Sequence, residues 1–221
     1  MCGRYAQQTE IHQIGMEFEV GAPLPNARPS WNIAPTQKAP VVRRNPETGT
    51  RHLDLLQWGL VPRWAKDPKS VRQPINARSE TIDTSRMFRG AFRARRCLVP
   101  ADAYYEWQVT EGGKQPWAIG RVDGAPLAFA GLWDGWRDPE GQILRTFAIV
   151  TTSANAELRD IHDRMPVVLE RADWPAWLGE IDVEDVGPLL RPAAPGILHA
   201  WRVGRAVGNV RNDGAGLLAP V

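Results

Sequence analysis

Leu98-Val-Pro-Ala-Asp-Ala-Tyr-Tyr-Glu-Trp-Gln108 is the stretch whose reading decides the fold. It is apolar and aromatic over a length suited to a strand. Three more segments follow at hairpin-sized intervals: Pro116–Val122, Leu127–Trp136 and Ile143–Thr152. Between them lie Glu111-Gly-Gly-Lys114, Asp123-Gly124 and Asp138-Pro-Glu-Gly141, residues suited to tight turns. Parallel pairing of neighbours would need crossovers of about a dozen residues or more, so these spacings predict an antiparallel meander.

Working outward, Lys38 to Leu60 reads as a hairpin. Val41-Val42 leads into the turn Asn45-Pro-Glu-Thr-Gly49, and Leu53, Leu55, Trp58 and Leu60 return. Thr9 to Val20 carries Ile11, Ile14 and Phe18 at helical spacing, with Thr9 as the expected cap. Ser79 to Arg95 is expected to be helical in one or two pieces, with Ser85 as a cap. Gly21 to Pro29, and the segment holding Pro62, Pro68 and Pro74, are connections. Downstream, Ala154–Ile161, Asp173–Leu178 and Val183–Leu190 read as helical, and Pro166–Leu169 and His199–Val203 as strands. No repeat, low-complexity tract or linker interrupts the chain, so one α+β domain over 1–221 is the economical expectation.

Composition narrows the function classes. At 221 residues, 43% hydrophobic and 24% charged, the chain can bury a core without staples. No apolar run approaches the roughly 18 residues of a membrane helix, and no leader pattern opens the sequence. The expected compartment is the cytoplasm, beside the nucleoid in a bacterium, or the nucleus in a eukaryote. Two cysteines are too few for a disulfide scaffold or a thiolate zinc site and read as free thiols. His12, His52, His162 and His199 lie far apart, so no metal is expected. No Gly-rich phosphate loop implies a nucleotide cofactor.

Net charge is only +2, but Arg86-Met-Phe-Arg89-Gly-Ala-Phe-Arg93-Ala-Arg95-Arg96 holds five arginines and no acid. Guanidinium forks match phosphate geometry, although a solvated helix face accounts for the run equally well. Most of the ten tryptophans must be packing residues. Trp64, between Pro62-Arg63 and Ala65-Lys66-Asp67-Pro68, is the best candidate for stacking on a nucleobase.

Cys2 carries the most chemical information. Its small size suits removal of Met1, which would leave an α-amine and a thiol on adjacent carbons. The amine has a reference pKa of about 7.7–8.0 against about 10.4 for lysine, so far more of it is nucleophilic at neutral pH. Attack on an aldehyde gives a Schiff base, and the neighbouring thiol can close on the imine carbon to form a thiazolidine. Three further segments stand out. In Pro74-Ile-Asn-Ala-Arg-Ser-Glu80, extended chain puts Asn76 and Arg78 on one face. Ala101-Asp-Ala-Tyr-Tyr-Glu-Trp107 carries Glu106, and Ile161-His-Asp-Arg-Met-Pro166 carries His162. Each has an ordinary explanation as well: a turn, a surface ion pair, a satisfied histidine.

In order and spacing the chain resembles the SRAP (SOS response-associated peptidase) family, which includes abasic-site shielding proteins of bacteria and animals. The resemblance rests on Met1-Cys-Gly-Arg-Tyr5, Trp31-Asn-Ile-Ala-Pro35, Trp58-Gly59, Ile75-Asn-Ala-Arg-Ser-Glu80, Ser85-Arg-Met-Phe88, Tyr105-Glu-Trp107, Ile161-His-Asp-Arg-Met-Pro166 and Val207-Gly-Asn-Val210. It implies a mainly antiparallel, strongly curved, barrel-like sheet with flanking short helices. It also implies a monomer that crosslinks abasic sites in single-stranded DNA, with no cofactor and no membrane. By position, Cys2 is the implied nucleophile, Asn76 orients it, Glu106 moves protons, and His162 meets the sugar oxygen or phosphate. Arg4, Arg78 and Arg86 fall where the family grips the DNA backbone, and Asn32, Pro35, Trp64 and Met87 where it shapes the DNA path. Relatives can carry a second aromatic after the Trp64 position, where this chain has Ala65. Two other readings remain open: a thiol (auto)peptidase that removes Met1, and a non-covalent module for single-stranded or modified DNA.

Overall fold

The computed structural model describes residues 2–21 and 23–221, so the expected removal of Met1 lies outside the described residues. In chain order the elements are β1 (Tyr5–Gln7), α1 (Ile11–Glu17), β2 (Ser30–Ile33), β3 (Lys38–Arg44), β4 (Arg51–Trp58) and β5 (Asn76–Arg78). Then come α2 (Arg89–Ala94), β6 (Arg96–Ala101), β7 (Ala103–Thr110), β8 (Gly113–Arg121) and β9 (Leu127–Arg137). The last are β10 (Ile143–Ser153), β11 (Arg164–Pro166), α3 (Trp174–Leu178) and β12 (Leu198–Arg202).

Two sheets form. One runs β11-β10-β4-β3-β6-β9 and closes on itself through a β9–β10 pairing, giving the barrel-like core expected above. The other runs β12-β8-β7-β1-β2. Closure pairs β3, β4, β6, β9 and β10 on both sides, which protects the barrel from edge-to-edge association. The β3–β4 hairpin forms as predicted: Asn45 N–H bonds to the Thr50 carbonyl (2.8 Å), and Gly49 adopts φ 72°.

The deciding stretch needs correction. Leu98–Gln108 is not one strand, because the chain leaves the barrel at Asp102 and enters the second sheet. The Asp102 carboxylate accepts from the Gln8 amide (2.5 Å), the Thr9 amide (3.0 Å) and the Thr9 hydroxyl (2.5 Å), pinning the crossing to the chain start. The meander is therefore interrupted. β7–β8 and β9–β10 are hairpins, but β8 and β9 lie in different sheets. β10 also pairs in parallel with β4 and β5, through partners distant in sequence.

The helices are shorter than expected. Thr9 caps nothing, since its hydroxyl is spent on Asp102; α1 follows Glu10 instead. Within Ser79–Arg95 only a 3-10 turn at Ser79–Thr81 and α2 form, with the Ser85 hydroxyl accepting from the Met87 amide. Ala154–Ile161 makes turns rather than a helix, with the Asn155 side chain accepting from the Leu158 amide. In Val183–Leu190 only Gly187–Leu189 is helical, as a 3-10 turn; Gly187 and Pro188 disfavour anything longer. The expected 166–169 strand begins earlier, as β11, and Val168 makes only an isolated bridge to Phe129.

Alternation along the barrel strands feeds two clusters, as a period of two requires. Val41, Val99, Phe129 and Phe147 join Tyr5 and Tyr104 of the second sheet, with Cys2 and Cys97 in the same cluster. Their neighbours Val42, Leu98, Ala130 and Ala148 face the helices, where Phe18 stacks on Trp174 at 4.6 Å. Gly131 belongs to the close packing of β9 on β6: a Cβ there would meet the Cys97 sulfur at 2.8 Å. No helix among the described residues is long and apolar enough to cross a membrane.

Candidate active site

Cys2 lies just ahead of β1 and is fully buried. Both its thiol and that of Cys97 are free. Burial pushes the Cys2 thiol well above its ordinary pKa, and the nearby Glu106 carboxylate pushes it further. Asn76 opens β5, which the parallel pairing with β10 holds in place, and its Nδ2 donates to the Cys2 carbonyl at 2.7 Å. The Asn76 Oδ1 is buried and has no hydrogen-bond partner among the described residues. A buried amide oxygen costs free energy until a donor reaches it, so this atom marks a place for an N–H or O–H beside Cys2.

Glu106 is buried on β7, and burial raises its pKa above the usual carboxylate range, while His162 pulls it down. Tyr104, two residues earlier, shares its strand face; its hydroxyl is pushed up by burial and then by Cys2 and Glu106. His162 follows the 155–161 turns. Its Nδ1 lies 2.9 Å from the Arg164 amide, from which it accepts when it carries no proton. Its Nε2 is 4.0 Å from Glu106 Oε2. Nδ1 is also 2.8 Å from the Asp163 carboxylate, to which it donates when it carries a proton. β11 is clamped by Arg164, which bonds to Glu80 and to the Thr151 carbonyl. The four residues expected to carry chemistry thus fall into two contacting pairs, Cys2 with Asn76 and Glu106 with His162, linked by the electrostatic contact of Cys2 with Glu106.

Around them are three cavities. One, of about 490 Å³, is lined by Arg4, Glu106, Trp107, Lys114 and His162. A second, of about 380 Å³, is lined by Asn76, Arg78, Met87 and Arg72. A third, of about 330 Å³, holds Trp64, Arg86, Met87 and Arg63. Lys114 and Arg72 are basic residues that motif reading passed over. Lys114 was visible only as part of a Gly-Gly turn, and Arg72 only as loop. Tyr104 could have been found from its two-residue offset to Glu106.

The remaining expected residues separate. Trp64 is 45% exposed, with the Arg86 guanidinium 4.7 Å over its ring. Ala65 behind it is buried, and its carbonyl accepts from Trp136 Nε1. Pro35 sits at the corner of a turn closed by the Gln37 amide on the Ala34 carbonyl, beside Thr36 at φ 72°, and lines none of the three cavities. Arg4 lines the first cavity, but its Nη1 is bonded to Asn32 Oδ1 (3.0 Å) and the Val207 carbonyl (2.9 Å). The arginine run is not a uniform basic face either. Arg95 pairs with Asp134, and Arg96 bonds to the carbonyls of Trp177 and Phe92.

Asn32, expected where the DNA path is shaped, is buried in the scaffold beneath it. It is 2% exposed, and its Nδ2 is directed at the carbonyls of Val207, Asn209 and Asn212. Its side chain organises the 207–212 loop and Arg4. Asn32→Ala should cost about 2 kcal/mol in urea unfolding, since several buried polar groups lose their partner. The salt dependence of DNA binding should not change; a reduced slope with unchanged stability would restore Asn32 to the interface.

Comparison with known proteins bears on this geometry. A family model described as SOS response associated peptidase (SRAP) matches residues 1–210. The chain is 36% identical over 223 residues to abasic site processing protein YoqW of Bacillus subtilis, covering 99% of each. It is 36% identical over 229 residues to abasic site processing protein YedK of Escherichia coli, covering 100% of each. A crystal structure of a Bacteroides thetaiotaomicron protein superimposes with a TM-score of 0.89 at 21% identity over the full length of both chains, a likeness of fold.

Proposed function

Since the chain belongs to the SRAP family, we propose that it captures abasic sites in single-stranded DNA as a covalent adduct of Cys2, acting as a monomer of one domain. Two relatives covering essentially its whole length are named abasic site processing proteins. The observation that carries the reading is the placement of a buried Cys2 against Asn76 and within electrostatic reach of Glu106, which is itself 4.0 Å from His162.

The chemistry requires cleavage of the Met1–Cys2 bond. The freed amine adds to the C1′ aldehyde of the ring-opened sugar and gives a carbinolamine. Glu106, whose raised pKa keeps a proton available, protonates the departing hydroxyl, and water leaves to form the imine. The thiol then adds to the imine carbon, its proton passing to nitrogen, and the thiazolidine closes. Aldehyde and aminothiol give ring and one water, so the step balances. The Asn76 Oδ1 would accept from the freed amine and hold its lone pair towards the sugar. His162 in its imidazolium form can supply from Nε2 the proton that the sugar ring oxygen needs on opening, and becomes neutral in doing so.

Arg78 and Met87 beside Asn76, and Trp64 with Arg86 next to them, form the side by which a strand would approach. Trp64→Ala should change stability by no more than about 0.5 kcal/mol because the ring is exposed. It should weaken single-stranded DNA binding by about tenfold, the value of one lost base stack. Fluorescence anisotropy with urea unfolding separates the two effects, and unaltered affinity would remove Trp64 from the path.

The proposal is tested by mixing processed protein with a single-stranded oligonucleotide holding one abasic site and running a denaturing gel. A slow band that survives denaturation supports capture. A shift seen only in a native gel would reduce the protein to a binding module, and cleavage of an added peptide without an adduct would favour the peptidase.

A further inference from the structure

We infer that the DNA strand flanking the lesion continues past Trp64 onto a second cation–aromatic platform, built from Trp133, Arg43 and Arg145 at the end of the barrel. The inference rests on the reading above and extends it. The cavity beside Asn76 and the one beside Trp64 share Met87. The Trp64 cavity and a further one of about 410 Å³ share Arg63. The further cavity is lined by Arg43, Arg63, Trp133 and Arg145, with Glu47 the acid among its lining residues. Arg43 and Arg63 are paired with Asp54 and Asp134 outside this lining, so its attraction for a polyanion rests on exposed Arg145.

The arrangement at Trp64 is repeated here. Arg86 lies 4.7 Å over Trp64, and Arg43 lies 4.7 Å over Trp133. Arg43 is also bonded to Asp54 at 2.6 Å, so it holds the indole in place and is not free to move to a phosphate. The cations available to phosphate are Arg145, which is exposed, and Arg63, whose side chain is 56% exposed. Buried Asp134 fixes both Arg63 and Arg95 at 3.1 Å. Trp133 and Asp134 are consecutive on β9, so their side chains leave opposite faces, and Arg63 spans the rim between the two cavities. Alternating stacking surfaces and guanidinium groups fit alternating bases and phosphates.

Strand polarity makes the inference testable. A path that leaves the reaction site in one direction meets only the nucleotides on one side of the lesion. Two single strands of about a dozen nucleotides suffice, each holding a reduced, unreactive abasic site, near the 5′ end in one and near the 3′ end in the other. Arg145→Glu should weaken binding of one of them by roughly tenfold and leave the other unchanged, and Arg145→Lys should restore most of the loss. Equal weakening of both strands, or of neither, would overturn the path. If wild type made no crosslink while the one-sided binding loss persisted, the covalent reading would fail and the path would stand.

Discussion

Cys2→Ala and Cys2→Ser are both expected to lose the denaturation-resistant adduct and to leave only a labile imine. Both variants keep an α-amine at the processed terminus, so an amine alone does not separate them from wild type. What differs is ring closure. The thiol adds to the imine carbon within one residue, and intramolecular attack of this kind reaches effective molarities of about 10⁵ M or more. Serine offers a poorer nucleophile, so its product should stay largely an imine that hydrolyses on dilution and is trapped only by borohydride. Alanine can form an imine but nothing beyond it. Yield after denaturation without reductant should fall at least a hundredfold for both, while yield with borohydride should fall much less for both, since each keeps the amine that forms the imine. Burial of Cys2 makes a packing cost of about 1 kcal/mol plausible for alanine, so unfolding should be followed in parallel. Full-strength adduct in Cys2→Ala would place the reacting group elsewhere.

Glu106→Gln should slow adduct formation by about a hundredfold or more, the usual contribution of a positioned acid–base group, with DNA affinity nearly intact. Glutamine keeps the shape and loses the proton. A stability signature should accompany it. Burial raises the folded-state pKa of Glu106 above its unfolded value. The stability tied to the protonated carboxyl is therefore complete below the unfolded pKa, near 4.3, and lost as pH rises through the folded value. Relative to Glu106→Gln, wild type should lose stability over that rise, as urea midpoints taken across acid to neutral pH would show. Equal loss of rate and affinity, with a large stability deficit at every pH, would make Glu106 a structural residue.

What could be read in advance followed from short-range physics. The β3–β4 hairpin was visible because Asn45 to Gly49 supplies both the side-chain bond and the positive φ its turn uses. The four candidate chemical residues were visible as types in motifs, but their assembly was not. Asn76 reaches Cys2 across 74 positions through a parallel pairing that no local pattern announces. The break at Asp102 was hidden for the same reason: its cause is a carboxylate bonded to Gln8 and Thr9, far back in the chain. Asn32 was visible as a polar residue in a motif loop, but its burial and its bonds to the 207–212 loop were not. The arginine run misled in the same way, since Arg95 and Arg96 serve packing and ion pairing while Arg86 stays exposed over Trp64.

The most direct test is intact mass spectrometry of the purified adduct, followed by mapping of the modified peptide. The account predicts the mass of a chain lacking its first methionine plus the oligonucleotide minus one water, with the bond on the Cys2 amine and sulfur and no gain of hydrogen on borohydride treatment. An adduct that retains the first methionine, or one mapped to a lysine, would contradict it.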